Sequence, residues 1–269
     1  MNMALDWHLA RALLEWQVEL GVTDAVLADP VDRFVQPAIR REQPTAAAAP
    51  PMPGADAAPA VHPTPPEIDA VELASHTAQR AKTLPDLADA LADFAHCDLR
   101  RGARNCVFSD GNPNAHLMII GEGPGAEEDK LGKPFVGRAG QLLDQMFAAI
   151  GLTRASPDPA ASIYITNTVP WRPPGNREPT PEELAILRPF LLRHIELAAP
   201  QVLVLVGNVA CDALLGRRGI LRLRGHWTQA QALPAMPMTH PAYLLRNPAA
   251  KREAWADLLS IKARLTAGP

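Results

Sequence analysis

The sequence predicts an α/β fold of three layers, with helices on both faces of a central four-stranded parallel sheet. Three observations carry that expectation. Apolar runs at 117–120, 163–166, 202–206 and 236–239 lack the alternation of a half-exposed strand, so each reads as a strand buried on both faces. A stretch of helical periodicity separates each run from the next, as crossover connections require. The unusual residues all fall just past the carboxyl ends of the runs, where ligands of such sheets gather: Gly121 to Asp129, then Asn167, then Gly207-Asn208, then His240-Pro241.

The elements follow in order. Leu5, Leu9, Leu13 and Trp16 place an amphipathic helix at 4–20, ended by Gly21, and a short second helix is expected at 24–28. Residues 1–35 thus form a small helical N-terminal unit. Proline and alanine dominate 36–66 and offer nothing to build a core, so this is a flexible or extended linker. The main domain is expected at 67–269. Helices are predicted at 67–82 and 84–95, Pro85-Asp86 opening the second, and then at 138–150, 181–197, 208–214 and 249–265 between and after the strands.

A chain of 269 residues, 47% hydrophobic and of formal charge -3, can hold one full-sized core plus an appendage. Its near-neutral balance gives no global pull towards nucleic acid, so DNA binding would need a local basic face. The start, Met1 to His8, has no cationic leader, and the apolar runs are too short to span a bilayer. A monomer in a bacterial-type cytoplasm, with no membrane partner, is expected. Cys97, Cys106 and Cys211 sit in separate elements and leave one over if paired, which suits neither a disulfide framework nor a metal set.

The loop at 121–129 admits two readings from its residues. Glycine loops between strand and helix most often cradle phosphate, and Gly121-x-Gly123 could open a dinucleotide fingerprint. Pro124 withholds a donor, and Glu128-Asp129 bring negative charge to where a pyrophosphate would lie. A neutral ligand whose carbonyls accept backbone amides, flanked by carboxylates, fits better.

The glycine loop with Pro134-Phe135-Val136-Gly137, then Asn167-Thr168-Val169-x-x-Arg172 through Arg177, then His240-Pro241-Ala242-x-Leu244-Leu245-Arg246, resembles the family 4 uracil-DNA glycosylases over about 94–265. The resemblance implies a uracil-DNA glycosylase-like fold that hydrolyses the N-glycosidic bond of a uracil turned out of DNA, single- or double-stranded, for base excision repair. It implies Phe135 as the ring on which the base stacks, the Gly123 amide as a donor to a uracil oxygen, and Asn167 as the reader of the base edge. His240 is implied as the donor to the departing uracil, a neutral imidazole sufficing for the task. Glu122 and Glu128 are the carboxylate candidates for the sugar cation, with Asp129 behind them, and Asn176 the candidate for holding the attacking water; their ranking stays open. Leu244 and Leu245 resemble the apolar insertion that fills the gap left by the flipped base, with Arg246 on a phosphate. Arg172, Arg177, Arg222, Arg224, Lys251 and Arg252 are the candidates for a local basic face.

The chain departs from the family in two places. Family 4 enzymes hold a 4Fe-4S cluster with four cysteines, whereas aligned on the motifs those positions here are Phe94, Cys97, Trp171 and Leu187. One thiolate cannot hold such a cluster, so no cofactor and no metal are expected, with the three bulky side chains as a hydrophobic plug. Alanine is usual where Gly123 stands, which leaves a wider base preference open. The short 172–177 turn lacks the inserted histidine of a relative that traps itself on the abasic sugar, so hydrolytic turnover is expected. The alternatives are a DNA- or nucleotide-binding domain without activity, a glycosylase for another deaminated base, and, more remotely, a dinucleotide-binding oxidoreductase domain.

Overall fold

The computed structural model describes residues 69–267, so the expected N-terminal helices and the linker lie outside the described residues. The first helix, α1 (Ala70–Arg80), is capped by Asp69, whose carboxylate accepts from the Val71 and Glu72 amides. Thr83 and Asp86 form a reciprocal capping box at α2 (Leu84–Asp93), with Pro85 where a missing amide costs nothing. After these come α3 (Leu99–Gly102), β1 (Ser109–Gly111), β2 (Leu117–Gly121), α4 (Ala126–Leu131), α5 (Arg138–Ala148) and β3 (Ile163–Asn167). The remainder is α6 (Pro181–Ala198), β4 (Val202–Val206), α7 (Asn208–Leu215), α8 (Ile220–Leu223), β5 (Thr228–Ala230), β6 (Leu233–Met238), α9 (Pro241–Arg246) and α10 (Lys251–Ala267).

The sheet has six strands in the order β1-β3-β2-β4-β6-β5. Its inner four are parallel and are the four predicted runs, while β1 and β5 pair antiparallel on the two edges. The edge strands were not legible beforehand because three residues carry no periodicity; only their partners β3 and β6 make them strands.

The buried strands explain the unbroken apolar runs. Ile119, Ile165, Val204 and Met236 point to one face, where they meet Leu143 and Phe147 of α5, Leu244 of α9 and Leu258 of α10. Met118, Ile120, Tyr164, Leu203 and Leu205 point to the other, against Leu191 and Ile195 of α6 and Cys211 and Leu214 of α7. A third cluster joins α1 and α2 to α6. Register then sets the site: Gly121 lies opposite Asn167, and Val206 opposite Met238, so the loops that leave all four inner strands share one edge of the sheet.

Candidate active site

A cleft of about 720 Å³ opens along that edge. Its lining includes Glu122, Gly123, Glu128, Phe135, Asn176, His240 and Arg246 from the predicted set. The loop from 121 to 137 is shaped from within. Glu128 spends both carboxylate oxygens on backbone amides, of Gly125 at 3.1 Å, Val136 at 2.9 Å and Gly137 at 2.8 Å. Asp129 is tied the same way, accepting from the amides of Arg104 and Asn105 at 2.8 and 3.1 Å. Both acids therefore hold the loop.

Glu122 differs from them. It lines the cleft, its carboxylate makes no hydrogen bond or ion pair among the described residues, and burial pushes its carboxyl up, helped by Glu178 and opposed by Arg218. Of the two carboxylate candidates it is the one left free to face a developing cation.

Phe135 adopts the left-handed backbone, φ 53°, which costs a bulky L-residue roughly 1–2 kcal/mol. Its ring edge and the Asn167 side chain converge on Gly121. A Cβ on Gly121 would stand 2.5 Å from Asn167 Oδ1 and 2.5 Å from Phe135 Cε2, so the absent side chain at Gly121 is what lets them come together. Asn167 is 6% exposed, and among the described residues neither its Oδ1 nor its Nδ2 has a hydrogen-bond partner. Buried amides are normally paired, because an orphaned one costs about 1–3 kcal/mol. Asn167 does not itself line the cleft but is buried beside it, its Oδ1 close to the Phe135 ring across Gly121.

His240 follows β6 by two residues and caps α9. Its Nδ1 accepts from the Ala242 amide at 3.1 Å, which leaves the ring proton on Nε2. Burial in the cleft wall lowers its pKa to about 4, Arg246 pushing the same way and Glu128 opposing, so the imidazole is neutral at physiological pH. The ring stacks on Phe135, centroids 5.6 Å apart at 28°.

Other predicted residues are placed less simply. Asn176 lines the cleft in a left-handed turn, φ 55°, but its Oδ1 already accepts from Arg172 Nε at 2.7 Å. Leu244 is a correction: it is fully buried in the core, because the short helix α9 turns it inward against the sheet. Leu245 is 37% exposed, and neither leucine lines the cleft. Of the basic candidates, Arg177 is spent on a bidentate pair with Glu183 at 2.8 and 2.6 Å, and Arg224 is paired with Asp257 and Glu253.

Sequence reasoning passed over several residues that the structure brings in. Leu221, 59% exposed, and Ile220 form part of the cleft wall, on a segment pinned by Asn208 Oδ1 accepting from the Gly219 and Ile220 amides. Val169 faces Gly123 so closely that a Cβ there would stand 2.7 Å from Val169 Cγ2; the alanine usual in the family would need that valine to move. Arg154 lies behind Phe135. No local pattern marks any of these, since each acts through residues distant in the chain.

Residues 108–259 match the model of the uracil DNA glycosylase superfamily. The type-4 uracil-DNA glycosylase of Thermotoga maritima is 42% identical over 156 residues, covering 56% of this chain and 77% of that protein. That of Archaeoglobus fulgidus is 34% identical over 67% of this chain and 92% of its own length. The type-5 uracil-DNA glycosylase of Thermus thermophilus is 34% identical over 41% of this chain and 54% of that protein.

These relatives correct the expectation of no cofactor, since the type-4 enzymes carry a 4Fe-4S cluster and kinship with them implies one. Phe94, Cys97, Trp171 and Leu187, the positions aligned with the ligands, all lie in the third buried cluster, with Phe94 edge-on to Phe190 at 5.1 Å. Burial pushes the Cys97 thiol up, away from the thiolate a cluster needs. Among the described residues no group of three or more His, Cys, Asp or Glu converges on a metal position. These residues do not fit the group that kinship implies, and no step of the chemistry is routed through it.

Proposed function

The chain belongs to the uracil DNA glycosylase superfamily, and on that premise we propose that it excises uracil from DNA, hydrolysing the N-glycosidic bond and leaving an abasic site for base excision repair. The observation that carries this is Asn167, a buried amide at the sheet edge near Phe135 with no partner on either polar atom among the described residues. A uracil edge presents one acceptor and one donor, the complement of such an amide, and its binding would offset the cost of keeping the amide unpaired.

Each remaining part has a task. Phe135 supplies the face on which the flipped base lies. As the bond breaks, negative charge grows on the base and positive charge on the sugar. His240, neutral with its proton on Nε2, donates to the uracil oxygen and keeps that proton. Glu122 stabilises the sugar cation and orients water, while Glu128 holds the loop whose amides face the base. Arg246 on the cleft and exposed Leu245 beside it meet the DNA strand. The proposed partner is uracil-bearing DNA and the proposed form a monomer in the cytoplasm. Among the described residues no helix is long and apolar enough to cross a membrane.

The test is release of uracil from a labelled single-uracil oligonucleotide, read as abasic-site cleavage, with Asn167→Ala and His240→Ala in parallel. Excision by the native chain and sharp loss in both variants is the expected result. No release from single strands or from U:A and U:G duplexes would refute the function; unchanged variants would refute the site.

A further inference from the structure

Resting on the uracil-excision reading, we propose that Arg154 is a positioning residue of the reaction: its guanidinium clamps the backbone that sets the Phe135 ring. Arg154 lies in the loop between α5 and β3, and its side chain is 16% exposed. Every nitrogen of the fork has a partner. Nη1 donates to the Pro134 carbonyl at 3.1 Å and to Asp110 Oδ2 at 2.9 Å; Nη2 donates to the Phe135 carbonyl at 3.0 Å and lies 2.8 Å from Asp144 Oδ1, which also accepts from Nε at 2.9 Å.

The division of labour is geometric. Asp110 and Asp144 hold the guanidinium plane, and the plane holds two consecutive carbonyls. Phe135 sits in a left-handed backbone that a bulky residue does not adopt unaided, so something must over-determine it. Arg154 does so from one side. On the other, Gly140 lets helix α5 close on the same carbonyl, since a Cβ there would stand 1.8 Å from Phe135 O. A planar fork reaching two acceptors at once is a task for arginine; the single ammonium of lysine cannot reproduce it. Arg154 does not line the cleft, so its effect on substrate passes through the ring of Phe135.

The test uses Arg154→Lys, Phe135→Ala and the double variant, each first checked for folding by thermal melting and assayed well below its melting temperature. Arg154→Lys keeps the charge between the two carboxylates and loses the fork. Single-turnover excision is expected to fall about tenfold or more, as a misplaced binding group predicts, and inhibition by free uracil to weaken in step. Affinity for a uracil-free oligonucleotide should stay within about twofold. Adding Arg154→Lys to Phe135→Ala should cost almost nothing further, since the clamp would have no ring left to place. Excision by Arg154→Lys within twofold of native, or full additivity in the double variant, would overturn the proposal. If Arg154→Lys does not fold, Asp110→Asn decides: slackening the same plane must give the same pattern at smaller size, and unchanged excision would refute the clamp. A native chain that excises no uracil refutes the function on which the clamp rests, a result distinct from an active native chain with an indifferent Arg154.

Discussion

Asn167→Val should make the protein more stable while destroying its activity. Two polar atoms of this side chain, Oδ1 and Nδ2, are buried without partners among the described residues. Leaving a buried amide unpaired costs about 1–3 kcal/mol, and replacing it with an apolar group recovers that amount. Valine is somewhat larger than asparagine, and the space beside Gly121 and Phe135 is tight, which returns up to about 1 kcal/mol as overpacking. Strand β3 ends at this position, where valine is also the better β-former. The expected net gain is about 1–2 kcal/mol, and for a domain of this size that raises Tm by about 2–8 °C. Excision should fall about 100- to 1000-fold, the usual cost of deleting a hydrogen-bonding group that acts on the reacting base. Free uracil supplies the internal control: it should raise the Tm of the native chain, because it binds only the folded state, and leave that of the variant unmoved. A variant less stable than native would show that the amide serves the fold, and a variant with full excision would show that it does not read the base. Either result refutes the argument.

The remaining predictions concern charge. In the proposed mechanism Glu122 acts as a carboxylate whose pKa is raised by burial, so excision should decline as pH falls through that raised value, while His240, neutral above about 4, stays competent throughout; Glu122→Gln should be slow and should lose this acid limb, and a native profile that Glu122→Gln leaves unchanged in shape would transfer the role elsewhere. Arg246→Ala should weaken DNA binding about equally for all sequences and reduce the salt slope of log K by about one, measured by anisotropy from low to high salt; an unchanged slope would remove Arg246 from the phosphate contacts.

Much of this molecule was determined by the sequence alone. The runs at 117–120, 163–166 and 202–206 are strands because a run of four or five residues without polar alternation can be buried only between two layers, and α1, α2 and α6 begin where Asp69, Thr83 and Thr180 supply the caps their first amides need. These are local effects, read within a few residues, and together with the ordered motifs they bring Glu122, Phe135 and His240 to one cleft. What needed the tertiary structure was every matter settled by a partner far along the chain. Glu122 and Glu128 are the same residue type in the same loop, yet among the described residues the carboxylate of Glu128 has three backbone amides for company and that of Glu122 has none. Leu244 and Leu245 are adjacent and identical, and only the way α9 lies on the sheet buries the first and exposes the second. Arg154 is one arginine among many in the chain until folding brings it the carboxylates of Asp110 and Asp144 and the carbonyls of Pro134 and Phe135. A sequence shows which groups are present and how often they recur; which of them end up paired is decided by packing, because a hydrogen bond spans about 3 Å however many residues lie between its ends.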